Sequence, residues 1–209
     1  GILDERGRFV SPNIVIAMLC DYVLRRSGAK GDLARSVVTT RMVDDVARLR
    51  GVGVHETPVG FKYIGDLFLR GVVAGGEENS GFSIAAHVPE KDGIFTGLLA
   101  LEMVARARKS FSALIQDFYK RIGGRRLNAR RDIKVSLARL PEIRGKAFAG
   151  LRITGESHVD GVKWDFHNGA WLAMRPSGTE PLVRIYAEAR DGKTLARLLD
   201  AGEKLIKDG

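Results

Sequence analysis

The feature that most constrains the fold of this 209-residue chain is its order of apolar segments, which changes character at residue 132. Before that point, short runs rich in strand formers alternate with segments whose apolar residues recur at helical spacing. We predict helices at residues 13–26, 42–50, 61–69, 93–107 and 110–122, with strands at 36–39, 52–56, 71–74 and 82–85. This alternation favours an α/β domain with a mixed, mostly parallel sheet and flanking helices.

From residue 132 onward, strands follow one another with little helix between them. We predict strands at 133–137, 151–154, 162–166, 171–174 and 182–187, and one amphipathic helix at 194–207. This order is typical of a small α+β domain. With 44% hydrophobic and 28% charged residues, the chain can bury two modest cores. We therefore predict two domains, at residues 13–122 and 132–209.

The chain carries a net charge of +9 at pH 7, and its densest basic stretch covers residues 120–131. Because this stretch lies between the two patterned regions, we interpret it as a domain linker. It lacks interleaved aromatic residues, and no helix-turn-helix, zinc-finger or RNA-recognition signature is present. We expect no specific nucleic-acid partner. The charge suits the steering of anionic substrates or non-specific binding of polyanions.

Cellular location is constrained by cysteine content and hydropathy. Cys20 is the only cysteine, so a disulfide within the chain is excluded and a reducing compartment is favoured. No apolar run approaches the about 18 residues that span a bilayer, so we expect no membrane partner. Together these features predict a cytoplasmic protein.

Near the C-terminus the chain reads Arg-Pro-Ser-Gly-Thr-Glu-Pro at residues 175–181, between two predicted strands of a β-hairpin. The motif offers a guanidinium, two hydroxyls and the N–H groups of a glycine-containing turn, from Arg175, Ser177, Gly178 and Thr179. Such donors match an oxyanion such as phosphate. An ordinary polar turn is the alternative, and a second arginine nearby, Arg184, favours phosphate binding.

A second loop reads Gly-Gly-Glu-Glu-Asn-Ser-Gly at residues 75–81, between two other predicted strands. Its carboxylates, amide and hydroxyl suit the vicinal hydroxyls of a sugar. They equally suit a hard cation such as Mg²⁺ or Ca²⁺, and a solvated turn is a third interpretation. Combined with a phosphate-binding motif, the loop favours a sugar phosphate as the ligand.

Two further motifs lie in a defined order with these, Thr-Pro-Val-Gly-Phe-Lys at residues 57–62 and Glu-Lys-Asp-Gly at residues 90–93. The order of the four motifs over nearly the whole chain resembles the C-terminal half of the α-D-phosphohexomutases, the phosphoglucomutase/phosphomannomutase family. Members of that family have four domains, which supply a phosphorylated serine, a Mg²⁺ loop, a sugar-binding loop and a phosphate-binding loop. The resemblance implies that this chain holds the third and fourth domains.

The resemblance also implies roles for particular residues. Glu78 and Ser80 would bind sugar hydroxyls, and the four residues named in the 175–181 motif would hold the phosphate group that is not reacting. Gly60 and Lys91, from the other two motifs, complete the substrate-binding set. The implied reaction interconverts hexose 1-phosphate and hexose 6-phosphate through a phosphoserine and a bisphosphate intermediate.

Two family motifs are not found in the 209 residues, the Thr-Ala-Ser-His-Asn-Pro type serine motif and the Asp-Gly-Asp-x-Asp-Arg metal loop. We therefore assign no catalytic residue and no metal ligand, and we expect this chain alone to be inactive. Mg²⁺ and a hexose 1,6-bisphosphate activator are expected for the full-length enzyme only. Residues 1–12 are interpreted as a remnant of the preceding domain, because residues 1–9 resemble the hairpin that follows the metal loop. The expected partners are the hexose phosphate and the missing N-terminal domains.

Two alternatives stay open. A phosphoglucosamine mutase is the first, because the form of the 175–181 motif is compatible with it. Glucose, mannose and glucosamine phosphates present similar hydroxyls to one acidic loop, so the preferred sugar also stays open. A non-catalytic module that binds sugar phosphates or polyanions fits the binding motifs equally well.

Overall fold

The computed structural model describes residues 1–28, 30–135, 140–178 and 180–208, which fall into two compact units, Gly1–Arg125 and Arg126–Gly209. The first unit alternates strands and helices, and the second combines an antiparallel sheet with one long helix. The predicted fold class is therefore confirmed. Within the described ranges, no helix combines the length and the apolar character needed to cross a membrane.

The first unit contains five helices and six strands among its described residues. In chain order they are β1 (Ile2–Leu3), β2 (Phe9–Val10), α1 (Pro12–Ser27), β3 (Asp32–Ser36), α2 (Met42–Arg50), β4 (Val54–Thr57), α3 (Phe61–Phe68), β5 (Val72–Glu77), β6 (Gly81–Ile84), α4 (Gly93–Ala107) and α5 (Phe111–Arg121). The short strands β1 and β2 pair with each other as an antiparallel hairpin.

The main sheet of the first unit has the strand order β4-β3-β5-β6. The strands β3, β4 and β5 are parallel, and β6 pairs with β5 in the antiparallel direction. Its largest core cluster includes Ile16 and Leu19 of α1, Leu33 of β3 and Phe82 of β6. Because parallel strands end at the same edge of a sheet, the loops that follow β3, β4 and β5 leave from one edge.

The third strand of the chain differs from the prediction. A strand was expected at residues 36–39, and the structure has β3 at Asp32–Ser36. The strand contains Arg35, a charged residue that is only 3% exposed, so its composition does not follow the pattern of a buried strand. Val37 and Val38 are buried as well, but they lie in the turn that follows β3.

The second unit is built on six strands and one helix among its described residues. They are β7 (Leu127–Lys134), β8 (Ala147–Phe148), β9 (Leu151–Ser157), β10 (Val162–Phe166), β11 (Trp171–Pro176), β12 (Leu182–Ala189) and α6 (Gly192–Asp208). The sheet order is β7-β12-β11-β10-β9-β8, with every neighbouring pair antiparallel. The core includes Trp164, Leu172 and Ile185 from the sheet and Leu198 from α6.

The basic stretch at residues 120–131 is not a simple linker. It contains the end of α5 and the first half of β7, and β7 pairs with β12 from Leu127 to Lys134. Arg131 of β7 bonds Asp200 and Glu203 of α6, at 2.7 and 2.9 Å. The strand predicted at 133–137 covers only the last two residues of β7, and residues 136 and 137 lie outside the described residues. The rest of β7 was missed because it lies at the edge of the sheet, where charged residues alternate with few apolar ones.

Candidate functional site

The acidic turn (residues 77–80) lies at the end of β5. Ser80 is exposed and has a positive φ of 79°, which is uncommon for a residue other than glycine. Its N–H donates to the carbonyl oxygen of Glu77 at 3.1 Å, and the Asn79 side chain accepts from the N–H of Gly81 at 3.1 Å. These local bonds define a tight turn with Glu78 and Ser80 near its tip.

Glu78 forms hydrogen bonds with two residues at and after the end of β3, Ser36 and Thr39. Its N–H donates to Thr39 Oγ1 at 3.0 Å, and its Oε2 accepts from Ser36 Oγ at 3.3 Å. The Ser36 and Thr39 hydroxyls lie 2.7 Å apart, and both residues are fully buried. Sequence reasoning did not identify either residue, because they are about forty positions away from the turn.

Glu77 connects the acidic turn to the loop after β4. Its Oε1 accepts from the Gly60 N–H at 2.6 Å, and its side chain is buried. Its Oε2 is also buried and has no hydrogen-bond partner among the described residues. Such an oxygen is costly unless a donor reaches it. Glu77 was not among the predicted site residues, although it belongs to the acidic motif.

Gly60 adopts a backbone conformation that favours glycine, with φ of 135° and ψ of 117°. It immediately precedes α3 (Phe61–Phe68), so this geometry turns the chain from β4 into the helix. The same geometry directs the Gly60 N–H at Glu77. The predicted residue Gly60 is therefore in contact with the acidic turn through its backbone.

Lys91 lies next to the acidic turn. A Cβ atom placed on Gly81 would stand 3.3 Å from Lys91 Cδ and 3.3 Å from the Phe61 ring, so little space is left there for a side chain. The lysine itself is exposed. The structure thus brings Lys91 close to the turn that carries Glu78 and Ser80.

The segment before α4 is fixed by Asp92. Its Oδ1 accepts from the N–H groups of Ile94 and Phe95, and its Oδ2 lies 2.9 Å from His87 Nε2. The hydrogen bond with His87 is the main reason that the pKa of Asp92 is lowered. The His87 ring also stacks on Phe95, with centroids 4.2 Å apart. These contacts restrain the loop from which Lys91 projects.

In the second unit, the predicted hairpin of β11 and β12 is present and places two arginines side by side. Arg175 of β11 pairs in register with Arg184 of β12. The Nε atom of each guanidinium is buried and has no hydrogen-bond partner among the described residues. Two like charges directly opposite each other on a sheet repel, so this pair favours an anion near it.

Among the described residues, a carboxylate lies near each of the two arginines. Arg175 bonds Asp160 at 3.1 Å, and Arg184 lies 3.4 Å from Glu180. The turn with Asp160 approaches Arg175 closely, because a Cβ on Gly161 would lie 2.8 Å from Arg175 Cβ. Only glycine therefore fits at residue 161.

The tip of this hairpin contains the other predicted phosphate ligands. The Ser177 N–H donates to the carbonyl oxygen of Leu182 at 2.9 Å, which closes the turn. Gly178 is exposed and has no heavy atom within 4 Å of a Cβ placed there. Thr179 lies outside the described residues.

The described residues contain no cluster of acidic, histidine or cysteine side chains around a common point. Within residues 1–28, 30–135, 140–178 and 180–208, no group of three or more His, Cys, Asp or Glu side chains could hold one. Hydrogen bonding to a polar ligand is what the acidic turn can do chemically.

Comparisons with known protein families match both units. A model described as phosphoglucomutase/phosphomannomutase, alpha/beta/alpha domain III, matches residues 11–122. A model described as phosphoglucomutase/phosphomannomutase, C-terminal domain, matches residues 124–204.

Individual relatives agree with these matches. A phosphoglucomutase/phosphomannomutase of Thermococcus kodakarensis is 33% identical over 99% of this chain and 44% of its own length. A candidate phosphoglucosamine mutase of Pyrococcus abyssi is 30% identical over 100% of this chain and 46% of its own length. The solved structure of a candidate phosphomannomutase from Thermus thermophilus has a TM-score of 0.81 at 33% identity, covering 96% of this chain and 42% of that one. The chain spans less than half the length of these relatives.

We expect Gly60→Ala to destabilise the protein by about 1–3 kcal/mol, because alanine at a φ of 135° is strained and would disturb the bond to Glu77. The free energy of unfolding in urea measures this change. Gly97→Ala is the control, because Gly97 lies inside α4 with open space around it, and alanine is expected to stabilise that helix by about 0.5–1 kcal/mol. Equal effects of the two substitutions would contradict the assignment of strain to Gly60.

Proposed function

The chain belongs to the phosphoglucomutase/phosphomannomutase family, and we propose that it provides the third and the C-terminal domains of an enzyme that interconverts hexose 1-phosphate and hexose 6-phosphate. The observation that carries this proposal is the pair of like-charged, incompletely bonded guanidiniums on the β11–β12 hairpin. Such a pair suits the phosphate group of a sugar phosphate.

For the phosphate group, we propose Arg175, Ser177, Gly178 and Thr179 as the binding residues and add Arg184. A guanidinium presents its N–H donors in a fixed, planar arrangement, which matches the oxygens of a phosphate. Gly178 is exposed and carries no side chain, so an anion can approach its backbone. In this proposal, the hairpin holds the phosphate that is not transferred.

For the sugar, we propose Glu78, Ser80, Gly60 and Lys91, and we add Glu77. Carboxylates accept hydrogen bonds from hydroxyls, and the unpartnered Oε2 of Glu77 needs such a donor. The ammonium of Lys91 can donate to a ring or hydroxyl oxygen. Carboxylate oxygens can accept from different sugar hydroxyls. They therefore suit a substrate that must be held with either end towards the reacting group.

The contribution of these residues to the reaction is positioning. Phosphoryl transfer depends mainly on orientation of the reactants and on neutralisation of charge. Mg²⁺ in the whole enzyme would neutralise charge on the transferred group, and the described residues of this chain contain no cluster of three or more His, Cys, Asp or Glu side chains to hold it. In the proposal, this chain binds the hexose phosphate, and the phosphoserine, the metal ion and the hexose 1,6-bisphosphate activator act with other parts of the enzyme.

A glucosamine phosphate is a second candidate substrate. The candidate phosphoglucosamine mutase of Pyrococcus abyssi is one of the relatives, and two consecutive carboxylates, Glu77 and Glu78, would favour a protonated amino group.

A cytoplasmic location is also part of the proposal. The only cysteine, Cys20, is buried and its pKa is raised by burial, as suits an unreactive thiol in a core.

We predict that Arg175→Ala weakens the binding of glucose 1-phosphate by about 1.5–3 kcal/mol and leaves the binding of glucose unchanged, because a charge-assisted contact is lost. Calorimetric titration of the 209-residue chain measures both. Arg144→Ala removes the same charge from an exposed residue of the same unit and serves as the control. Equal affinity of Arg175→Ala and the parent for the sugar phosphate would remove the phosphate assignment.

We predict that Glu78→Gln reduces discrimination between glucose 1-phosphate and mannose 1-phosphate, while affinity for inorganic phosphate stays the same. The amide offers one acceptor oxygen in place of two, and the phosphate ligands are not changed. Titrations with the three compounds test this, with Asp66→Asn as an exposed charge control. A similar fall in phosphate affinity would mean that the two loops have been assigned wrongly.

We expect the 209-residue chain by itself to have no mutase activity, because neither the serine motif nor the metal loop of the family occurs in its sequence. Residues that bind a ground state offer no donor or acceptor for the phosphoryl group. A coupled assay with glucose 1-phosphate, Mg²⁺ and glucose 1,6-bisphosphate measures turnover. Activity above buffer that persists after removal of host mutase would show that a serine of this chain carries the phosphoryl group.

A further inference from the structure

The buried hydroxyls of Ser36 and Thr39, which bond Glu78 of the acidic turn, have no role in the proposed binding of the sugar phosphate. Ser36 is the last residue of β3, and Thr39 lies in the following turn, where its N–H donates to the Ser36 carbonyl oxygen at 3.0 Å. Both residues are fully buried, so neither hydroxyl can be explained as a surface group. Their side chains meet each other and Glu78.

The direction of the three hydrogen bonds follows from which groups carry a proton to donate. The Glu78 N–H can only donate, so Thr39 Oγ1 accepts it at 3.0 Å. An ionised Glu78 carboxylate can only accept, so Ser36 Oγ donates to it at 3.3 Å. The Thr39 hydroxyl must then donate to Ser36 Oγ, across 2.7 Å. The two hydroxyls thus form one closed ring of hydrogen bonds with the backbone and the side chain of Glu78.

The acidic turn needs such support, because Ser80 is held at a φ of 79°. A residue other than glycine stays in this conformation only where its surroundings fix it. The bonds from Ser36, at the end of β3, and from Thr39, in the turn after it, hold the turn at Glu78, the residue directly after β5.

We propose that Ser36 and Thr39 are positioning residues that hold the acidic turn, through Glu78, in the conformation that binds sugar hydroxyls. This inference rests on the proposed function for the sugar. The ring of hydrogen bonds among Ser36, Thr39 and Glu78 is observed independently of that function. The two hydroxyls touch no substrate in this scheme. Their effect on the sugar passes through Glu78 and the turn.

The chain offers matched controls for both residues. Thr40 is also fully buried, but its hydroxyl oxygen accepts the N–H of Met42 at the start of α2, at 3.0 Å. Ser83 is fully buried as well, and its hydroxyl donates to the carbonyl oxygen of Val88 at 2.8 Å. Neither of these bonds involves the acidic turn.

The first measurement is amide hydrogen exchange by NMR in the 209-residue chain. In Thr39→Val, we expect the Glu78 amide to exchange about tenfold faster or more, while the Leu33 amide in β3 keeps its protection. Thr39→Ser should restore the slow exchange of Glu78, and Thr40→Val should leave it unchanged. Unchanged exchange of Glu78 in Thr39→Val would overturn the proposal, whatever the ligand binding.

The second measurement is calorimetric titration with glucose 1-phosphate and with inorganic phosphate. We expect Thr39→Val to bind glucose 1-phosphate about tenfold more weakly, with unchanged affinity for inorganic phosphate and with rescue by Thr39→Ser. An equal loss in Thr40→Val would overturn the proposal. If Thr39→Val does not fold, Ser36→Ala against Ser83→Ala gives the same comparison.

The two measurements also separate this inference from the proposed function. A parent chain that binds glucose 1-phosphate no better than inorganic phosphate would contradict the proposed sugar site. The exchange rate of the Glu78 amide would still decide whether Ser36 and Thr39 hold the turn.

Discussion

The site loops of the first unit depend on one buried cation, Arg35. Its Nε bonds Asp44 of α2 at 2.5 Å, and its NH1 bonds Glu56 of β4 at 2.7 Å. Burial alone would lower the pKa of Arg35, but the hydrogen bonds and charges of Asp44 and Glu56 raise it, so the guanidinium remains charged. The Arg35 side chain is buried while both carboxylates are partly exposed, so removing either carboxylate would leave a buried charge with less compensation.

The position of this ion pair explains its importance for the site. Arg35 directly precedes Ser36, and Glu56 directly precedes Thr57, whose carbonyl oxygen accepts the Val37 N–H at 2.8 Å. The ends of β3 and β4 are therefore fixed against each other where their loops begin. From these ends, the Thr39 and Ser36 hydroxyls hold the acidic turn, and Gly60 bonds Glu77. The three loops form one connected set of contacts that starts from the buried charge.

Much of the fold could be predicted from the spacing of apolar residues, because regular elements repeat a local pattern. The predicted bounds of α2 (Met42–Arg50), α4 (Gly93–Ala107) and β10 (Val162–Phe166) agree with the structure. Two errors fall where long-range contacts replace apolar burial, at Arg35 in β3 and in the first part of the charged edge strand β7 (Leu127–Lys134). The two-residue strand β8 (Ala147–Phe148) was also not predicted. The motifs of the candidate site were visible in the sequence, but their supports, Ser36, Thr39 and Asp160, were not. Those residues meet the motifs only through the fold.

Buried atoms without a hydrogen-bond partner occur in the acidic turn of the first unit and in the β11–β12 hairpin of the second, and they need opposite kinds of partner. Among the described residues, Glu77 Oε2 is an acceptor without a donor, and the Nε atoms of Arg175 and Arg184 are donors without an acceptor. Leaving such a group unbonded costs about 1–3 kcal/mol, more for a charged group, so each is expected to persist only where something else bonds it. Hydroxyls of a sugar supply donors, and a phosphate supplies acceptor oxygens. The acidic turn of the first unit therefore suits a hydroxyl donor, and the hairpin of the second unit suits an anion.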